Sequence, residues 1–318
     1  MLEITKDMLD QTIETERKNK AASDKAVQIT AYIMIAAIGV EFAVLFMLLR
    51  SSFWSALIYV AIILAVDFVV FFGVTILLSK KYISGFTTEK FIHAFKRQKF
   101  NETVMSADND TKIRLYEERF AADKGGEKIL SVNSLISLYL NNNEMDEWTK
   151  KAEALLKEIE NIPPKNFLQR SLKALSYFTF YSVSNDAESY IKAFRENEKV
   201  VEEMWNDALP MKVYALKHTV IILAYSGQYD KAIEYYLNII EFQEKAGEID
   251  PSCGINEEGK KSVGIDLAEL YCKSGNKEKA AEYFREAKEF FADTNIPFIR
   301  HELDRVGKIL DEAGICYS

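Results

Sequence analysis

Proline is scarce in this chain of 318 residues: there are five, none before Pro163, and glycine is limited to thirteen. That composition excludes a collagen-like or Pro/Gly-rich disordered polymer and leaves room for long uninterrupted helices. Cysteine is scarcer still. Cys253, Cys272 and Cys316 are odd in number and show no CxxC spacing, so a disulfide framework is not expected and a reducing compartment is the simpler setting. The three histidines, His93, His218 and His301, stand far apart without metal-ligand spacing, and HELD at 301–304 lacks the second histidine of a zinc protease. A G-x-S-x-G elbow and a glycine-rich dinucleotide turn are both missing. One near-miss is GINEEGKKS at 254–262, which satisfies G-x-x-x-x-G-K. It lacks a preceding strand, places Lys261 where the magnesium-binding hydroxyl belongs, and sets Glu257 and Glu258 against any phosphate. KGGEK at 124–128 reads as a loop. No enzyme activity, metal or cofactor is expected.

Charge is present but unevenly placed. Residues 1–100 hold 12 Lys/Arg against 9 Asp/Glu, whereas the remainder holds 28 against 39, within a formal net charge of -8. An acidic body offers no concentrated basic face, so nucleic acid is not an expected partner.

Two long apolar runs occupy residues 29–49 and 53–78, each interrupted by a single acid. About 20 apolar residues at 1.5 Å each span a hydrocarbon core, so both reach membrane-spanning length. Only Arg50, Ser51 and Ser52 separate them, which makes a tight hairpin over 28–79. A polar stretch precedes the first run and no A-x-A-like site follows it, so a cleaved signal peptide is not expected. Lys6, Arg17, Lys18, Lys20 and Lys25 flank the pair on one side, with Lys80, Lys81, Lys90, Lys96, Arg97 and Lys99 on the other; the turn has only Arg50. This bias puts both termini on the cytoplasmic side of what is expected to be a bacterial plasma membrane, with Trp54 and Tyr59 at the outer interface and Tyr82 and Phe86 at the inner one. The basic neck within 80–125 also suits anionic lipid headgroups. Glu41 and Asp67 fall inside the apolar layer with no cation in either run. They read as neutral acids hydrogen-bonded to a neighbouring helix, or alternatively as part of an ion path in an oligomer. Gly39 with Ala43, and Ala61 with Ala65, give small-residue faces that suit homo-oligomerisation.

The remainder reads as paired helices: 127–141 with 145–160, 165–183 with 186–206, 211–226 with 229–246, 260–274 with 277–292, and a closing helix at 297–313. Residues 87–104 and 109–124 form a further pair, and 1–27 a separate cytoplasmic segment. No run alternates with period two, so the body is all-α.

Two stretches repeat: SGQYDKAIEYYLNI at 226–239 and SGNKEKAAEYFREA at 274–287. Gly227 and Gly275 suit the positive φ of a tight turn, Ala232 and Ala280 leave room where helices cross, and Tyr236 and Phe284 fill the space beneath the next helix. With Leu267, Ala268, Tyr271 and Ala287, the second copy resembles the tetratricopeptide repeat. The first is weaker, with Val220 and Ile239 at positions usually held by small residues. The turn glycines stand 48 residues apart, not the usual 34, and earlier pairs lack the glycine.

The resemblance implies an α-solenoid over 126–318 behind a transmembrane hairpin. Its first helices would line a concave groove through Tyr214, Lys217, Ile221 and Tyr225, then Ile265, Glu269, Cys272 and Lys273. It does not reproduce the lysine and asparagine clamp of some family members. The expected function is a membrane-anchored scaffold that recruits a protein or peptide; the alternative is an accessory subunit of an oligomeric transporter or channel acting through Glu41 and Asp67.

Overall fold

The computed structural model of the chain describes residues 4–49, scattered positions between 54 and 73, Val104 and residues 107–317; in the first helix, side chains are described as far as Ile33 and at Ile35. The chain divides into two compact units, one formed by residues 1–10 with 106–318 and the other by 11–105. Among the described residues all regular structure is helical.

Helix α1 (Lys6–Leu49) carries the first apolar run in its second half. Among the described residues no helix is long and apolar enough to cross a membrane. The backbone of α1 and isolated later positions are all that is described of the expected hairpin: Glu41 is described in backbone only, and Asp67, Tyr82, Phe86 and the neck at 80–99 lie outside the described residues. Within the second unit Ala26 and Thr30 are buried, whereas Tyr32, Ile35, Ile58, Ile62 and Val69 leave apolar side chains exposed.

The larger unit is an array of paired helices. Asp108 caps α2 (Asn109–Ala122) by accepting from the Thr111 amide at 2.8 Å, which satisfies one of the amides left over at a helix start. Next come α3 (Ile129–Asn142) and α4 (Met145–Glu160), whose apolar faces close on Trp148. The third pair begins with α5 (Phe167–Val183). Its expected partner over 186–206 is two helices, α6 (Ala187–Glu196) and α7 (Glu198–Trp205), with the break at Asn197. There the Asn197 side chain donates to the Ala193 carbonyl at 2.9 Å, a local bond that competes with helix continuation. The bend lets Val201 and Met204 join Phe178, Tyr190 and Phe194 in one core.

Helices α8 (Leu209–Tyr225) and α9 (Tyr229–Ile249) pair across Gly227, and α10 (Glu257–Ser274) and α11 (Lys277–Phe290) across Gly275. Both glycines take positive φ, 74° and 87°. Between α5 and α6, where the sequence has no glycine, Asn185 takes φ 54° in its place, one of the few side chains that tolerate the left-handed region. Ala232 and Ala280 are fully buried at the crossings. Prolines open elements: Pro210 stands in the first turn of α8, and Pro297 opens α12 (Pro297–Glu312).

Two features depart from a simple linear stack. Helix α12 packs on α10 and α11 and also reaches α3 and α4, where Phe298 joins the Trp148 core and Arg300 pairs with Glu144 at 2.8 Å. The array therefore curves back on itself. At the other end of the chain, residues 1–10 belong to this unit: the Ile4 amide donates to Tyr235 Oη at 3.1 Å, Lys6 pairs with Glu241, and Asp10 with Lys245. Ile4 and Leu9 are buried, and that burial is the stronger tie, since exposed ion pairs contribute about 0–1 kcal/mol each.

Candidate functional site

Helices α8, α9 and α10 enclose a cleft of about 740 Å³. Its walls follow from sequence spacing: Lys217 and Ile221 are one turn apart on α8, Tyr236, Ile239 and Ile240 lie on α9, and Ser262, Val263 and Asp266 lie on α10. The far end is built from backbone. A Cβ on Gly247 would stand 2.8 Å from the Gly254 Cα, so only glycine lets the end of α9 pack against the loop leading into α10. That loop begins the GINEEGKKS segment. Asn256 caps α10 by accepting from the Gly259 amide at 2.8 Å; Lys260 pairs with Glu244 and Glu257, and Lys261 with Glu286. Both lysines are engaged on the surface, and the loop leads into a helix with acids in its first turn, not a phosphate cradle.

Inside the cleft the charges are few and opposite. Lys217 is exposed to the cleft, yet the surrounding walls lower its pKa by desolvation, which Asp266 partly offsets. Asp266 is half-buried and accepts from Tyr236 Oη at 3.1 Å. Burial first, then repulsion from Glu302 and Glu269, push its carboxyl up to about 7. Beside it lies a charged layer. Arg305 on α12 donates to Glu269 at 2.6 Å and to Glu302 at 2.7 Å, and Lys273 reaches Glu269 at 2.5 Å. Burial is the largest single influence on Glu269, pulling upward, but Arg305 and Lys273 together hold its pKa below the ordinary value.

The residues expected to line one groove thus fall into separate places. Lys217 and Ile221 face the cleft. Tyr214 is 37% exposed on α8. Tyr225 is half-buried: its hydroxyl donates to the Ser182 carbonyl at 3.2 Å and its ring meets Tyr190 edge-on at 5.2 Å. Glu269 and Lys273 belong to the charged layer under α12, and Cys272 beside them is half-buried. Ile265 is 1% exposed and packs in the interior, because α10 buries Gly264, Ile265, Leu267 and Ala268 together and leaves only a narrow open strip. It is no groove residue. Tyr236 and Asp266 line the cleft without having been anticipated; an acid between Ile265 and Leu267 in an apolar stretch was the available signal.

His218 stands next to Lys217 but points the other way. It is buried, 2.9 Å from Tyr190 Oη through Nδ1, with its pKa lowered to about 3 by burial first and by Lys217 second, so it is a neutral packing group. Among the described residues no group of His, Cys, Asp or Glu could hold a metal.

Asp266 makes stability depend on pH. Its pKa is raised from 3.8 to about 7, so the folded chain binds a proton that the unfolded chain has released, and its contribution declines as pH rises from about 4 to 7. Asp266→Asn is therefore expected to gain on the order of 2 kcal/mol over the wild type at pH 8, with the gap narrowing to under about half of that at pH 5. Urea midpoints at the two pH values measure it; a gap independent of pH would remove the explanation.

The described body is thus of the all-α class, a curved array of helical pairs with an amphipathic cleft between neighbouring pairs. No protein-family model, curated protein or solved structure matches the chain.

Proposed function

We propose that the chain is a membrane-anchored scaffold whose tetratricopeptide-like body faces the cytoplasm and recruits a protein or peptide partner. The observation that carries this reading is the cleft between α8, α9 and α10, open, about 740 Å³, and lined by branched aliphatics with a few charged groups. The anchor rests on the two apolar runs at 29–49 and 53–78 and on the exposed apolar side chains Tyr32, Ile35, Ile58, Ile62 and Val69, which water does not favour and lipid does. The Lys/Arg bias around those runs supports both termini being cytoplasmic, at a bacterial plasma membrane.

Crosslinking in native membranes tests the reading. A photoreactive residue at Ile221 is expected to give a discrete adduct that Lys217→Glu abolishes, while the same probe at the exposed Glu234 on α9 gives none. The chain should also stay in the pellet after a carbonate wash and be released when residues 28–79 are deleted. Equal adducts at both positions would overturn the cleft as the partner site; a full-length chain in the supernatant would overturn the anchor.

A further inference from the structure

We propose that the cleft also holds a small aliphatic zwitterion, a free amino acid or dipeptide, whose carboxylate meets Lys217 and whose ammonium meets Asp266. Most charges around the cleft are already satisfied: Glu269 is held by Arg305 and Lys273, Glu302 by Arg305, Lys260 by Glu244 and Glu257, and Lys261 by Glu286. Lys217 and Asp266 line the same cavity, and among the described residues neither forms an ion pair with the other or with any third group. Asp266 accepts from the Tyr236 hydroxyl and, among the described residues, has no ion-pair partner, Arg305 acting on it only from beyond contact distance. Each group therefore sits in a partly desolvated site without an ion-pair contact, and a single ligand carrying both signs can contact both.

Simpler ligands do worse. A plain carboxylate satisfies Lys217 and is repelled by Asp266, Glu269 and Glu302; a plain cation satisfies Asp266 and is repelled by Lys217. Beyond the charged end, Ile221, Ile239, Ile240, Ile255 and Val263 supply an apolar wall that fits a branched aliphatic side chain. At about 740 Å³ the cleft also has room past a single residue, which is why the dipeptide belongs to the same class.

The charge layout fixes the direction of the pH dependence. Facing Asp266 are Lys217 and Tyr225 from α8, Tyr236 from α9, Glu269 on its own helix, and Glu302 and Arg305 from α12. Burial and the two glutamates keep a proton on Asp266 up to about 7. A ligand ammonium displaces that proton, so affinity for a zwitterion rises roughly tenfold from pH 6 to pH 8. A carboxylate ligand without the ammonium shows the opposite slope, because a neutral Asp266 repels it less.

The inference rests on the reading of this cleft as an open groove but not on the identity of any partner, so it is tested with the ligand alone. The full-length chain in detergent is titrated calorimetrically with L-leucine and with L-leucyl-L-leucine, and separately with their N-acetyl and C-terminal amide forms. At least one uncapped probe is expected to bind, which of the two binds distinguishing amino acid from dipeptide, while either cap weakens binding roughly 10- to 100-fold. Lys217→Met and Asp266→Asn are expected to weaken it to the same extent, and Asp266→Asn to abolish the rise with pH. Failure of both uncapped probes, equal binding of capped forms, or a falling affinity from pH 6 to pH 8 would each overturn the proposal. The capped ligands and the pH series use the wild-type chain, so a poorly folding variant does not blunt the test. Loss of partner crosslinking with ligand binding intact would count against the scaffold reading instead.

Discussion

Trp148→Ala is expected to lower the folding free energy of the body by about 3–5 kcal/mol, the range for removing a large aromatic from a packed interior. Trp148 is fully buried, its ring stacks on Phe180 at 5.6 Å between centroids, and its Nε1 donates to the Ile136 carbonyl at 3.0 Å. From α4 it packs against α3 and α5, and the same core receives Phe298 from α12. The cavity would therefore open where the α3–α4 pair and the closing helix meet. Trp148→Phe keeps most of the buried area but loses the indole donor, so it should fall between wild type and alanine. Chemical unfolding followed by circular dichroism measures both. A loss under about 1 kcal/mol for the alanine variant would mean that this core collapses around the gap, and that the closure of α12 onto α3 and α4 is not a stabilising feature of the array.

The pairing of helices was legible because it is local. Apolar residues at three- and four-residue spacing located α3, α4, α8, α10, α11 and α12 to within a few residues, and the Ser-Gly turns at 226–227 and 274–275 take the positive φ that such turns require. The break at Asn197 was hidden because its apolar periodicity continues: Tyr190, Phe194, Val201 and Met204 face one core across the bend. Asn185 as a substitute for a turn glycine was readable in principle, since asparagine is the side chain that enters the left-handed region most readily. The docking of Ile4 on Tyr235 and the return of α12 to α3 were not readable, because each joins segments more than 150 residues apart with no local signature. The cleft was half legible. On α8 the repeat resemblance marked Lys217 and Ile221, whereas on α10 a one-residue difference in register separates the buried Ile265 from the cleft-lining Asp266.

Removing Arg305 should cost more than its count of ion pairs suggests. Its guanidinium lies between Glu269 and Glu302, with all three side chains at 22%, 15% and 10% exposure, so Arg305→Ala leaves two screened carboxylates facing each other with Asp266 close behind. Breaking a buried charge pair by deleting one partner costs about 3–5 kcal/mol, since the remaining charge keeps its desolvation penalty without compensation. The direction with pH follows from the same geometry. In the wild type Arg305 helps to hold the Glu269 pKa below 4.5, a contribution present above that value and lost as pH falls through the folded pKa. Without Arg305 the desolvation of Glu269 and its repulsion by the neighbouring acids dominate, its pKa rises, and the variant regains stability relative to wild type as pH is lowered from 8 to 5. Adding Glu269→Gln and Glu302→Gln to Arg305→Met should restore most of the loss at pH 8, because apolar and neutral groups of similar volume no longer demand a counter-charge. A double- and triple-mutant series of urea midpoints at pH 5 and pH 8 measures these couplings. If Arg305→Ala lost as much stability at pH 5 as at pH 8, the guanidinium would be acting through its packing against α10 and not through its charge, and the layer beneath α12 would owe its cohesion to shape.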